Sequence, residues 1–207
     1  MRRPRFIADQ ARHANGPLGR LIAFIMARET AAPNRRAIDE LEVSATDAVL
    51  DIGCGPGAAL SELAARALKG RVAGIDPSPL MVRLAQRRNR ALIDEGRTTV
   101  ARADVSALPF PDGTFDKALC VHVIYFWDDL GPCFREIARV LKPGGRIALL
   151  FRSSDDPRSV RSFPTSVYRF RTQHEVEAAL AAAGFTVKSP QPVEPQLPTL
   201  LIATRAG

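Results

Sequence analysis

Short apolar runs alternate with stretches of helical period along this chain. Ala48–Ile52, Val72–Asp76, Thr98–Arg102, Asp116–Val123 and Arg146–Phe151 are brief, apolar and bounded by turn residues, so they read as strands. Helical segments fill the gaps. Ala58–Ala67 ends near Gly70, a helix over 79–92 opens at Ser78-Pro79 as cap and first-turn proline, and Leu130–Leu141 is a third. Thr172–Ala183 follows, with Thr172 and Glu175 offering a capping box and Gly184 a stop. Phe185–Lys188 and Leu200–Thr204 are the last two strands, joined by a proline-rich linker over 190–198. Before the first strand, Leu18, Leu21, Ile22, Ile25 and Met26 share one face of a helix over Leu18–Arg28, a stripe that needs a surface to bury it. A second short helix is expected from Asn34, as N-cap, to Leu41. Residues 1–16 read as an irregular basic arm, and 152–171 as a long basic connection without a period. Alternating strands and helices predict an α/β chain with a parallel sheet covered on both faces. Two closing strands without a helix between them predict that the final strand runs antiparallel.

Composition changes this picture little. A chain of 207 residues, 46% hydrophobic and 25% charged, fits one domain with a sizeable core. Cys54, Cys120 and Cys133 form no C-x-x-C pair, which points to a reduced cytosol and a cytoplasmic protein. His13, His122 and His174 are scattered, so no metal site is expected. The apolar run Leu21–Ala27 falls far short of the roughly 20 residues of a membrane span. Arg2, Arg3 and Arg5 imitate the start of a secretory signal, but Pro4, Asp9, Pro17 and Arg20 interrupt it. The net charge is +7, and 25 of the 29 basic residues are arginine. That balance fits RNA, anionic lipid or an acidic substrate, or simply an arginine-rich coding bias. Arg83, Arg87 and Arg90 fall on one face of the helix over 79–92, where a solvated stripe is the plain reading.

The chemistry concentrates after the first strand. Residues 49–57 read Val-Leu-Asp-Ile-Gly-Cys-Gly-Pro-Gly, so the strand ends in Asp51 and runs into Gly53, Cys54, Gly55 and Gly57. Such a loop lets the backbone turn sharply and a ligand approach with no Cβ in the way. Asp76 closes the second strand, where a nucleotide-binding sheet needs an acceptor for ribose hydroxyls. Ala103-Asp104-Val105 closes the third. Leu108-Pro109-Phe110-Pro111-Asp112-Gly113-Thr114-Phe115-Asp116 and Leu141-Lys142-Pro143-Gly144-Gly145 complete the series. The G-x-G-x-G spacing differs from the G-x-G-x-x-G of dinucleotide enzymes.

These ordered motifs, strong over residues 45–152, resemble the class I S-adenosylmethionine-dependent methyltransferases, in particular the small-molecule branch of ubiquinone/menaquinone-type and sterol- or metabolite-directed enzymes. The resemblance implies a Rossmann-like doubly wound seven-stranded sheet with an antiparallel last strand. It implies S-adenosylmethionine as cofactor, with the glycine loop against the methionine portion and Asp51 toward its ammonium. Asp76 would accept from the ribose, Asp104 and Val105 would hold the adenine, and Pro77 and Met81 would flank it, though Met81 reads equally well as helix core. It also implies an arm and lid helices over 1–44 on a single compact unit over 45–207, with 18–41 and 152–171 covering the substrate.

The acceptor side should follow the fourth strand, at Cys120–Asp129. His122 and Tyr125 are the candidate catalytic groups, and His122 has the right neighbourhood for a general base. A lone histidine near a strand end is commonly structural, and Tyr125, Phe126 and Trp127 serve as well for core as for a pocket wall. No Asn/Asp-Pro-Pro-Tyr follows this strand, against amino-directed base methylation, and Cys133 sits too late for a cytosine nucleophile. The expected reaction is methyl transfer to a small-molecule acceptor, without stable nucleic-acid binding. An RNA methyltransferase, a non-catalytic S-adenosylmethionine binder and a dinucleotide enzyme are the alternatives. Neither the acceptor nor the oligomeric state is fixed by these motifs.

Overall fold

The computed structural model describes residues 5–12, 14–188 and 198–207. The linker over 190–198 therefore lies, except for Pro198, outside the described residues, as does His13. The strands are β1 (Ala48–Ile52), β2 (Arg71–Asp76), β3 (Thr98–Arg102), β4 (Phe115–Val121), β5 (Leu141–Phe151), β6 (Phe185–Lys188) and β7 (Thr199–Arg205). They form one seven-stranded sheet in the order β3-β2-β1-β4-β5-β7-β6. The pairs from β3 to β5 are parallel, and β7 runs antiparallel between β5 and β6. The order reverses beside β1, so the C-terminal ends of β1 and β4 frame the crevice where such sheets bind ligands.

Helices cover both faces. On one, α3 (Ala31–Leu41) and α4 (Ala58–Arg66) bury Ile38, Leu41, Leu60 and Leu63 against Val49, Val72 and Leu119. On the other, α7 (Leu130–Val140) and α9 (Gln173–Ala182) bury Phe134, Ile137, Val176 and Leu180. Ser78 caps α5 (Pro79–Arg88) through its Oγ, and Thr172 and Glu175 form the expected capping box on α9. Two sequence motifs turn out to be fasteners. Asp116 accepts from the Ala48 N–H at 2.9 Å and pairs with Lys142 at 2.8 Å, tying the start of β1 to β5. Arg139 donates to the carbonyls of Phe110 and Leu108 and pairs with Asp112, holding the Leu-Pro-Phe loop.

Five expectations are corrected. The helix expected from Asn34 begins earlier, as α3 at Ala31, so Asn34 lies inside it and does not cap it. Residues 1–16 are not an irregular arm throughout: α1 (Arg5–Arg12) is a helix that buries Ala8. The helix expected over 79–92 breaks into α5 and α6 (Arg90–Asp94) at Asn89, whose φ −106 and ψ 22 leave the helical range. The connection over 152–171 contains a short helix, α8 (Pro157–Ser162), and its Phe163, Tyr168 and Phe170 pack as an aromatic cluster on Tyr125. Scattered aromatics have no period, so a pattern reading passes over them. Finally, α2 (Gly16–Glu29) buries Gly19, Ile22 and Ala23, and leaves Leu18, Leu21 and Ile25 exposed. Ala23 packs with Leu80 and Met81 of α5, and a Cβ on Gly19 would crowd the Leu80 side chain.

Candidate functional site

A cavity of about 460 Å³ opens at the C-terminal ends of β1, β2 and β4. Of the residues singled out in the sequence, Asp51, Gly53, Cys54, Gly55, Asp76, Pro77, Met81, Asp104, Val105 and His122 line it. Gly57 and Tyr125 do not. Ala23, Thr30 and Asn34 add a wall from the N-terminal helices, and Val123, Phe126, Trp127, Asp128 and Pro132 form the far end. No residue of 152–171 lines the cavity, so that segment does not cover it as expected.

The loop after β1 is built for close approach. Gly53, Gly55 and Gly57 all adopt positive φ. A Cβ on Gly53 would collide with Val123, whereas one on Gly55 would meet nothing within 4 Å, because that position faces open space at the cavity. The N–H groups of Gly53 and Cys54 both donate to the Ile75 carbonyl at 2.9 Å, which clips the loop to β2. Gly57 works behind the cavity, where its carbonyl accepts from the Asn89 side chain at 3.0 Å. Asn89 also donates to Ala85 and is buried, so it fixes the loop from outside. Sequence reading missed it, since one asparagine inside a helical pattern gives no signal of its tertiary partner.

Two carboxylates share this pocket. Asp51 is only 4% exposed, and its Oδ2 has no hydrogen-bond partner. Burial first, and the neighbouring Asp76 carboxylate second, push Asp51 up to about 7. Asp76 is likewise shifted up by burial, against two stabilising contacts: Oδ2 accepts from the Gly55 N–H at 3.0 Å and Oδ1 from the Ser78 N–H at 2.8 Å. Each Asp76 oxygen keeps a second lone pair. A buried acid without a donor is costly in a folded chain, so this pair fits a ligand that brings its own donors, a cationic amine among them. At Asp104, Oδ1 accepts from both the N–H and the hydroxyl of Ser106, at 2.9 and 2.6 Å, which orients the carboxylate.

His122 is held in an uncommon backbone state, φ +57, at the end of β4. Its Nδ1 lies 3.0 Å from the Tyr125 hydroxyl, and that oxygen accepts from the Arg152 N–H. With one acceptor position so used, the buried hydroxyl finds its own acceptor in His122 Nδ1, which places the imidazole proton on Nε2. Burial, then the Arg152 charge, lower His122 to about 4, so the ring is neutral at pH 7. Burial raises the Tyr125 hydroxyl above its ordinary range, and the residue is packed among Tyr168, Phe170 and Phe126. Tyr125 therefore meets the cavity through His122 and Phe126, both of which line it. Cys133 does reach the cavity, but burial and then Asp104, Asp129 and Asp128 push its thiol to about 12, which leaves it protonated and unreactive at neutral pH. Among the described residues no group of His, Cys, Asp and Glu is arranged to hold a metal ion, and no helix is long and apolar enough to cross a membrane.

Residues 50–149 match the family model described as a methyltransferase domain. A demethylmenaquinone methyltransferase from Thermus thermophilus is 32% identical over 74% of this chain and 81% of its own. A ubiquinone/menaquinone biosynthesis C-methyltransferase from Geobacter sulfurreducens is 31% identical over 81% of this chain and 75% of its own. Among solved structures, a SAM-dependent methyltransferase from Aquifex aeolicus superposes with a TM-score of 0.70, at 24% identity, over 83% of this chain and 88% of that one.

Proposed function

Since the chain belongs to the S-adenosylmethionine-dependent methyltransferases, we propose that its acceptor is a small molecule methylated inside the 460 Å³ cavity. When bound, S-adenosylmethionine supplies a methyl group on a positively charged sulfur. The observation that carries the site assignment is the unpartnered Asp51 Oδ2, buried beside Asp76 under a glycine loop. Asp51 would hold the amino-acid ammonium, and Gly53, Cys54 and Gly55 would pass their backbone close along that portion. Asp76 would take the ribose hydroxyls on its remaining lone pairs, Asp104 and Val105 the adenine, and Pro77 and Met81 its faces. Gly57 keeps a supporting part, through Asn89.

The acceptor would sit against Val123, Phe126, Trp127 and Pro132. These side chains exclude water and hold an apolar ring or chain in line, which is most of what such a displacement asks of a protein. His122 has no free lone pair for a proton, since Nδ1 is occupied and Nε2 is protonated. We assign it as a neutral hydrogen-bond donor to an acceptor oxygen, positioned by Tyr125, in place of the general base expected from its neighbourhood. The quinone-directed relatives make an aromatic acceptor bearing oxygen the natural class to try first. The three thiols, buried and unpaired, fit a reducing compartment such as the cytoplasm.

Thermal shift with S-adenosylhomocysteine, NADH and a short RNA in parallel tests this reading. S-adenosylhomocysteine at 100 times its Kd should stabilise by about 2.7 kcal/mol, and the others should not. Stabilisation by RNA in place of a small acceptor would overturn the acceptor class.

A further inference from the structure

The apolar stripe of α2 faces outward. Leu18, Leu21, Phe24 and Ile25 are 44 to 56% exposed, and Phe6 of α1 is 57% exposed. On a helix of 3.6 residues per turn the four α2 side chains span about a third of the circumference. Large apolar side chains gathered this way on a surface helix mark a contact surface.

The flank of the stripe is basic. Arg28 stacks on the Phe24 ring, with Cζ 4.7 Å from its centroid. Arg20, on the same helix, joins Arg83, Arg87 and Arg90 around a groove of about 710 Å³ floored by Leu80 and Leu84. Among the described residues Arg20, Arg83 and Arg87 make no ion pair, while Arg90 pairs with exposed Asp94 at 3.5 Å. Cations thus continue from the α2 stripe onto α5 and α6.

We propose that this face, the α2 stripe with the Arg20–Arg83–Arg87–Arg90 rim, docks on an anionic lipid surface. Charge complementarity selects that occupant. A second copy would bring the same unpaired arginines together at the contact, which is repulsive. A nucleic acid would satisfy the arginines but gain nothing from Leu18, Leu21, Phe24 and Ile25. An anionic bilayer satisfies both, with apolar side chains entering the headgroup boundary and guanidinium groups at the phosphates.

The inward side of the same helix places Ala23 on the catalytic cavity. Docking would therefore set that cavity directly beneath the bilayer, within reach of a lipid-soluble acceptor. This consequence rests on the small-molecule reading above, whereas docking itself needs no acceptor and is measured separately.

The test is co-sedimentation of the full chain with vesicles of phosphatidylcholine alone and of phosphatidylcholine with one quarter phosphatidylglycerol, at low and high salt. The chain should bind the anionic vesicles at least tenfold more tightly, and salt should weaken that binding. Arg83→Gln with Arg87→Gln and Arg90→Gln should lower the partition about 100-fold. Leu21→Glu with Phe24→Glu should lower it at least tenfold. All five side chains are exposed, so each variant should keep its melting temperature and its response to S-adenosylhomocysteine. Equal binding to both vesicles, or binding untouched by either set of variants, overturns the proposal. So does a dimer in vesicle-free solution that Leu21→Glu with Phe24→Glu splits, because the stripe would then be covered by a second copy.

Discussion

Replacing Asp51 by asparagine should stabilise the ligand-free protein at alkaline pH while damaging its site. The folded chain holds the Asp51 carboxyl near 7 against an ordinary value of 3.8. A raised carboxyl binds its proton more tightly when folded than when unfolded. Stability is therefore lost as pH climbs from the ordinary value toward 7, and the loss is complete above 7. Between pH 5 and pH 8 wild type should lose roughly 3 kcal/mol from this group alone, since about two pH units separate pH 5 from the folded value and each is worth about 1.36 kcal/mol. The Asp51→Asn variant carries no charge at this position and should escape that loss. Its amide would meet the same lack of a partner as Asp51 Oδ2, at a cost of about 1–3 kcal/mol that does not vary with pH. The pH-dependent part is thus separable. For a domain of this size 1 kcal/mol moves Tm by about 2–4 °C, so the Tm difference, variant minus wild type, should rise by about 5–10 °C from pH 5 to pH 8. Differential scanning calorimetry of both proteins without ligand reads this directly. The same variant should bind S-adenosylhomocysteine at least tenfold more weakly at pH 8, having lost a charge-assisted contact. A Tm difference that stays flat between the two pH values would refute the picture of a desolvated acid awaiting a cation.

Three further outcomes follow from the site. Gly55→Val should abolish S-adenosylhomocysteine binding in a protein that still folds, since a β-branched residue at φ +53 is strained and its side chain would enter the cavity; normal binding by calorimetry would remove the loop from the site. Asn89→Ala frees the Gly57 carbonyl and should lower both Tm and S-adenosylhomocysteine affinity, the latter about tenfold, and an affinity equal to wild type would show that the loop is held without it. Nitrogen NMR of His122 should find a neutral ring protonated on Nε2 at pH 6, and Tyr125→Phe should abolish that tautomer preference; a ring protonated on Nδ1 in wild type would reverse the assigned direction of the Tyr125 hydrogen bond.

The sheet and its glycine loop were legible because their signals are local. The strand ending in Asp51, the alternating glycines, the Ser78-Pro79 start and the Thr172/Glu175 box each need only a few consecutive residues, and each stands where the pattern put it. What escaped depends on distant partners. Asn89 serves a glycine 32 positions away. His122 reads as a base until the Tyr125 hydroxyl and the Arg152 N–H fix its proton. The motif acids Asp112 and Asp116 were visible as motif, but their work as partners of Arg139 and Lys142 was not. The α2 stripe was visible as amphipathic, yet periodicity alone does not say which face of a helix meets the protein.

The account stands most directly on calorimetric titration of S-adenosylhomocysteine into wild type and Asp76→Ala. Wild type should bind one equivalent. The variant, folded by circular dichroism, should bind about 10–150-fold more weakly, the loss of roughly 1.5–3 kcal/mol expected when hydrogen bonds to a charged group are removed. Equal affinity in the two proteins would contradict the assignment of this cavity as the S-adenosylmethionine site.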